Sequence, residues 1–398
     1  MLKRTLEKKL KEAAKQYPVV TLTGPRQSGK TTLVRMTFSD CDYVSLEEPD
    51  HRAFALEDPR GFLSQFPEKV ILDEIQRAPD LFSYIQTIVD TKNISGQFIL
   101  TGSQNFLLLQ KISQSLAGRC AVLHLLPFTL SELRQRRSLS IDAIGRRLPG
   151  KNRFLKEELP SVLFKGFYPR IHDKNLNPVD WVGYYYQTYI ERDVRDVVNV
   201  GDLESFSRFV RLCAGRNGQL LNLSSLANDC GITHTTSKRW ISILEASFIV
   251  FLLRPHFKNF GKRLIKSPKL YFLDTGLLSY LLRIRSKVDL RIHALYGSIF
   301  ESYVISELLK NYMNRGKEHP IYFWRDSTGN EIDVLIDEGD KLLPIEIKAG
   351  QTITKDFFKG IRFWKKLSND IDQRAALIYG GDQAYIRSDA YVYPWSVF

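Results

Sequence analysis

Residues 19–32 read Val-Val-Thr-Leu-Thr-Gly-Pro-Arg-Gln-Ser-Gly-Lys-Thr-Thr, an apolar run that breaks at Gly24 and reaches Gly29-Lys30-Thr31 before a helical pattern. This is the spacing of a phosphate-binding loop, with the strand before it and the helix after it that such a loop needs. Gly24 and Gly29 permit backbone angles that turn successive N–H groups inward. The cradle is therefore expected over Gly24, Pro25, Arg26, Gln27, Ser28, Gly29, Lys30, Thr31 and Thr32. Lys30 would reach the β- and γ-phosphates, and the Thr31 hydroxyl would take one position on Mg²⁺.

A second stretch, Val70-Ile71-Leu72-Asp73-Glu74, is an apolar strand ending in two adjacent carboxylates. A buried parallel strand ends at the ligand-facing edge of its sheet. Asp73 is expected to hold Mg²⁺ and Glu74 to polarise an attacking water. After a further strand, Gln97–Thr101, the polar Ser103 and Gln104 are expected to contact the γ-phosphate or that water. Arg119, before the strand Ala121–Leu125, is a candidate arginine finger, acting within the subunit or across an interface of a homo-oligomer.

Near the C-terminus a third set of residues carries chemistry. Glu301 lies among the apolar positions of a helix over Tyr296–Met313, facing inward. Two strands follow, Glu331–Asp337 and Leu342–Lys348, and the loop length between them sets Asp333 opposite Glu346. Like charges so placed destabilise a sheet pair, a conflict that a divalent cation would remove. Lys348 shares the Glu346 face by strand alternation.

The elements that must position these residues follow from hydrophobic period. Leu2, Leu6, Leu10 and Ala13 mark a leading helix, and strand–helix alternation to about residue 130 predicts an αβα sandwich with a parallel sheet. From Ser131 a helical, basic lid is expected, carrying Arg134, Arg136, Arg137, Arg146, Arg147, Lys151, Arg153 and Lys156. Trp181–Val198 reads as one helix whose end carries the pairs Glu191–Arg195 and Arg192–Asp196. Residues 223–244 fit a helix-turn-helix, with Ser224-Ser225 and Thr233 as caps and Gly231 at the turn. A strand-like Phe248–Leu253 and the basic Arg254, Lys258, Lys262, Arg263, Lys266 and Lys269 then suit a winged helix, with His234, Lys238 and Arg239 near the groove. The expected division is 1–130 nucleotide-binding domain, 131–218 helical lid and linker, 219–290 winged-helix-like domain and 291–398 C-terminal α/β domain.

The stretches Gly24–Thr31, Leu72-Asp73-Glu74-Ile75-Gln76, Leu100-Thr101-Gly102-Ser103-Gln104 and Leu116-Ala117-Gly118-Arg119 together resemble a family of prokaryotic AAA-type ATPases with a C-terminal domain of unassigned function. That resemblance implies ATP as the ligand. The helix carboxylate, the hairpin carboxylates and the lysine resemble the PD-(D/E)xK, restriction-endonuclease-like fold. By that resemblance Asp333 and Glu346 would bind Mg²⁺, Lys348 would orient or activate water, and Glu301 would assist.

Composition narrows the classes. The chain of 398 residues carries a net charge of +13, concentrated in its C-terminal two thirds, which favours a polyanion such as DNA as partner. Its four cysteines are widely spaced, without C-x-x-C pairs, so neither a disulfide framework nor a Cys/His zinc site is expected. No apolar run approaches the roughly 20 residues that span a bilayer, and a reducing cytoplasm without membrane attachment is the expectation. Three functions stay open: an ATPase controlling a DNA-binding module, an ATP-gated Mg²⁺-dependent endonuclease, and a nucleotide-switched protein scaffold with an inactive nuclease-like domain.

Overall fold

A computed structural model describes residues 2–92, 94–103, 115–136, 139–149, 158–189, 203–257, 264–370 and 374–398. The N-terminal sheet holds β1 (Val19–Gly24), β2 (Asp42–Ser45), β3 (Val70–Asp73), β4 (Phe98–Ser103) and β5 (Cys120–His124) in the order β2-β3-β4-β1-β5, every pair parallel. Adjacent residues supply opposite faces. Val19, Leu72 and Leu100 join the cluster with Phe82 and Ile85, while Val20, Ile71 and Ile99 pack with Leu6, Leu10 and Leu33. Both faces are covered, and for that reason the strands read as unbroken apolar runs.

Among the described residues, the first part of the expected lid holds the helices Leu130–Arg134, Leu159–Lys165 and Pro169–Asp173 and a single turn at Ile141–Ala143. Arg134 lies over the Trp395 ring and Arg146 pairs with Glu338, so these arginines brace the fold. Arg137, Lys151, Arg153 and Lys156 lie outside the described residues. The helix at Trp181 runs over Pro178–Tyr185. The pairs expected at 191–196 also fall outside the described residues.

Helices Leu203–Gly215, Leu223–Cys230 and His234–Ala246 are followed by the antiparallel pair β6 (Val250–Leu253) and β7 (Lys269–Phe272). Thr233 caps the His234 helix as expected, and Gly231 turns with φ 70°. The cap of the preceding helix is Asn222, whose side chain accepts from the Ser225 amide, and not Ser224-Ser225.

The C-terminal sheet is ordered β12-β13-β11-β10-β9-β8. Helix Tyr296–Met313 precedes the antiparallel β8 (Ile321–Arg325), β9 (Glu331–Asp337) and β10 (Leu342–Lys348). Helix Lys359–Ser368 then crosses to β11 (Ala376–Tyr379), parallel to β10, with β12 (Tyr385–Ile386) and β13 (Tyr391–Pro394) beyond. One apolar cluster runs from Leu126 to Phe398, with the Tyr296–Met313 helix at its centre. No helix among the described residues is long and apolar enough to cross a membrane.

That helix carries two buried charges. Glu307 and Lys310 are 0% and 1% exposed and 3.3 Å apart. Glu307 Oε2 accepts from the Leu130 amide at 3.0 Å, and Lys310 Nζ donates to the Phe128 carbonyl at 2.9 Å. They hold the segment leaving β5. Burial raises the Glu307 carboxyl above its ordinary range, with Lys310 opposing. Removing one member of a buried pair leaves the other uncompensated, at a cost of about 3–5 kcal/mol. Glu307→Ala and Lys310→Ala are each expected to lower stability by that order in urea unfolding, and the Glu307→Leu/Lys310→Leu double variant by less than either. A double variant costing the sum of the singles would contradict the account.

Candidate functional site

The loop after β1 is built by close approach of backbone. A Cβ at Gly24 would overlap the Leu125 carbonyl, so only glycine lets β1 end against the chain leaving β5. Gln27 and Gly29 take left-handed φ of 63° and 93°, and helix Lys30–Thr37 begins directly after. Gln27 is the one conformational demand that the glycine spacing does not announce.

Lys30 is 6% exposed, and its Nζ donates to the Gly24 and Pro25 carbonyls at 3.0 and 2.9 Å. Burial lowers its pKa to about 8 against the upward pull of Glu74 and Asp73. Such a buried ammonium without a direct carboxylate partner favours an incoming anion.

The ends of the neighbouring strands converge on the loop. Asp73 accepts from Thr31 Oγ1 at 3.1 and 3.0 Å, from the Tyr43 hydroxyl at 2.8 Å and from Thr101 Oγ1. Burial and the Asp73 bond push the Tyr43 phenol upward, so it remains a donor. Glu74 sits at φ 58°, where Gln76 Nε2 donates both to its carboxylate and, at 3.0 Å, to Ser103 Oγ. Tyr43, Thr101 and Gln76 were not apparent as partners from residue order. The apolar–polar change at each strand end was the available signal.

A cavity of about 760 Å³ opens over Gln27–Thr32 and Glu74, bounded on the far side by Arg4, Phe128 and Arg170. Arg4 lies over the Phe128 ring, 4.7 Å from its centroid. It donates to the Ser28 carbonyl at 2.8 Å and the Leu126 carbonyl at 2.6 Å, and its Nε lies 3.3 Å from Glu132. It thus joins the loop to the start of the second half of the chain.

Gln104 lies outside the described residues. Arg119 is not at this site. It precedes Cys120, which pairs with Val19, so it lies at the opposite edge of the sheet, about 16 Å of strand from Gly24. Its side chain is exposed and forms a bidentate contact with Asp90. A role at its own subunit's loop is excluded by strand polarity.

At the C-terminal carboxylates the β9–β10 pairing runs to Val334–Ile345, with Asp333 and Glu346 the next residues of each strand and the Asp333 carboxylate accepting from the Ile347 amide at 2.8 Å. Lys348 eases the conflict, its Nζ lying 3.1 Å from Asp333 and 2.5 Å from Glu346. Burial pushes Asp333 up, but Lys348, Lys269 and the Ile347 amide outweigh it and hold the carboxyl below its ordinary range. Burial and Asp333 push Glu346 well above the usual carboxylate range. Gly360 lets the following helix close over this site, because a Cβ there would meet the Glu346 carboxylate.

Glu301 does face inward, and burial raises its pKa. Its partners are Tyr271, at 2.5 Å, and Lys269, at 3.3 Å; Lys269 also pairs with Glu331. Lys269 is 4% exposed, so it belongs to this cluster and not to a basic wing surface. Among the described residues no three His, Cys, Asp or Glu side chains converge to hold a metal ion. His234, Lys238, Arg239, Arg254 and Lys266 are exposed, while Lys258, Lys262 and Arg263 lie outside the described residues.

Comparison with known proteins follows this division. Residues 16–134 match the model of an AAA domain, residues 156–288 a domain of unknown function (DUF8612) and residues 296–398 another (DUF4143). An uncharacterized protein of Mycobacterium tuberculosis, Rv2008c, is 30% identical over 393 residues, which is 98% of this chain and 82% of that protein. The uncharacterized protein Mb2031c of Mycobacterium bovis matches to the same extent. Among solved structures, the Walker-type ATPase paby2304 of Pyrococcus abyssi is 15% identical, covering 70% of this chain and 94% of its own, with a TM-score of 0.38. The RuvB Holliday junction branch migration motor of Thermotoga maritima is 20% identical, covering 63% and 88%, with a TM-score of 0.29. The AAA domain carries the P-loop site described above.

The Lys30 geometry gives nucleotide binding a pH dependence. Phosphates favour the charged amine, so binding is tightest below its pKa of about 8 and weakens as the free protein loses that proton. Affinity for a fluorescent ATP analogue is expected to fall about tenfold between about pH 7 and about pH 9. An unchanged dissociation constant would show that Lys30 does not meet the phosphates.

Proposed function

This chain belongs to the family of the two mycobacterial proteins and carries an AAA domain at its head, and from that premise we propose that it binds and hydrolyses ATP to control a nucleic-acid-binding C-terminal half. The observation that carries the reading is the Thr31–Asp73 hydrogen bond, which joins the β3 carboxylate to a loop residue that lines the cavity beside Lys30. Backbone amides of the Gly24–Thr32 loop and the Lys30 ammonium hold the β- and γ-phosphates. Two adjacent oxygen donors, Thr31 Oγ1 and the Asp73 carboxylate, fit Mg²⁺, which prefers such ligands. When bound, the ion neutralises phosphate charge. Tyr43 and Thr101 fix the Asp73 carboxylate. Glu74 takes the proton of the attacking water, and Ser103 holds Glu74 through Gln76. Arg119, at the far edge of the sheet, is placed for a neighbouring copy's nucleotide and not for its own.

The nucleic-acid reading is supported by the order of three helices and a hairpin, with His234, Lys238 and Arg239 exposed on the helix that would enter a groove. DNA is the polyanion we propose. A specific observation favours a nuclease-like ancestry for residues 291–398: a helix, three antiparallel strands, a helix and a parallel strand, with Asp333 in register with Glu346 and Lys348 two residues on. Lys348 bridges Asp333 and Glu346, and Lys269 bridges Glu301 and Glu331, and this ion pairing supports the scaffold role of that domain over Mg²⁺-dependent cleavage.

ATP turnover measured with and without duplex DNA tests the proposal. Glu74→Gln is expected to retain nucleotide binding and lose about 10²-fold or more in turnover, while Lys30→Ala weakens binding itself. DNA is expected to change the wild-type rate. Turnover that survives Glu74→Gln would overturn the assignment of the base, and a rate indifferent to DNA would overturn the coupling.

A further inference from the structure

The P-loop has a second neighbour. Its residues Arg26 and Gln27 also form one wall of a separate cavity of about 570 Å³, completed by Arg170, Trp181, Tyr184 and Tyr185. Trp181 and Tyr185 stack with ring planes 12° apart and centroids at 5.2 Å. Tyr168 packs against Tyr185 as core, and both rings are buried. Tyr184 is different: it is 69% exposed and borders the cavity, so its ring is not there to fill the interior.

ATP does not need this space. The cavity over Gln27–Thr32 continues past Thr32 and Leu33 to Met36 and Leu2 and, at about 760 Å³, falls in the range of a whole small-molecule site. The second cavity offers aromatic faces with Arg26 and Arg170 in its lining against the single carboxylate of Asp180, in a chain of net charge +13. Planar rings flanked by cations are the chemistry that takes a base and its phosphate from an unpaired strand, without regard to sequence.

We infer that the cavity bounded by Arg26, Arg170, Trp181, Tyr184 and Tyr185 binds a nucleobase of a single-stranded nucleic acid, Tyr184 stacking on the base and the arginines meeting the adjoining phosphate. The site is distinct from the His234–Ala246 helix, which would take a duplex. It also touches the nucleotide loop directly. The Tyr185 hydroxyl donates to the Arg26 carbonyl at 3.5 Å, and the Arg26 guanidinium lies 5.6 Å from the Tyr189 centroid. A base seated there bears on the segment between Gly24 and Gly29, so strand and nucleotide affinities are coupled, each changing the other by the same factor.

The test is fluorescence anisotropy with a labelled oligothymidylate on the full chain at moderate salt. Trp181 is packed on its neighbours, so the informative variant is the exposed Tyr184→Ala, with Tyr184→Phe as the conservative partner. Tyr184→Ala is expected to weaken the oligonucleotide about five- to 150-fold, and Tyr184→Phe to restore it. Lys238→Glu/Arg239→Glu, away from the cavity, is expected to lose duplex affinity and keep the single strand, so failure of the winged-helix reading is told apart from failure here. Wild-type protein without affinity for the oligonucleotide, Tyr184→Ala binding as tightly as wild type, or displacement of the oligonucleotide by adenosine alone would each overturn the inference.

Discussion

A pair of charges buried on one turn of a helix joins the two ends of this chain. Glu307 and Lys310 have no access to water, and each spends its hydrogen bonds on backbone of the segment 128–130. That segment is where Thr129 and Glu132 cap a short helix reciprocally, and where Glu132 meets Arg4. Arg4 in turn donates to the Ser28 carbonyl of the P-loop. Charge that cannot reach solvent must keep its partners, so each link has a fixed geometry. The same helix carries Glu301, and through it the Lys269, Glu331, Asp333, Glu346 and Lys348 cluster. A displacement at Ser28 therefore has a set of buried polar contacts reaching the Tyr296–Met313 helix along which to act.

The P-loop itself is held in an electrostatically unfinished state. Lys30 turns back on the carbonyls of its own loop, and burial depresses its proton affinity. Asp73, by contrast, has three hydroxyl donors, and Glu74 is held by Gln76. The cation lacks a counter-charge while the anions are supplied with donors. A polyphosphate corrects the first and competes for the second, which is how binding could reorganise the strand ends.

The sequence was informative wherever the determinant is local. The loop is legible because its glycines and lysine act on backbone within a few residues, and β1, β3 and β4 are legible because both faces are buried. The facing of Asp333 and Glu346 followed from strand alternation and loop length alone. What escaped were contacts between residues remote in the chain: Arg4 with Leu126, 122 residues apart, and Leu130 with Glu307, 177 apart. Lys269 looked like one more member of a basic run because nothing local shows that β7 turns it toward Glu301. Of the two placements open for Arg119, strand polarity removes the one within the subunit, since a residue before a parallel strand lies at the edge opposite the loops that follow the other strands. Asn222 and Ser224 are equally good caps by residue type, and only helix geometry selects between them.

The central claim is that phosphate at the P-loop is felt by the C-terminal half through the Arg4 and Glu307–Lys310 contacts. Backbone hydrogen exchange of the full chain, with and without a non-hydrolysable ATP analogue, addresses it directly. The account predicts altered protection at residues 126–132, along the Tyr296–Met313 helix and in β9 and β10, in addition to the loop itself. Changes confined to residues 19–103 would contradict it.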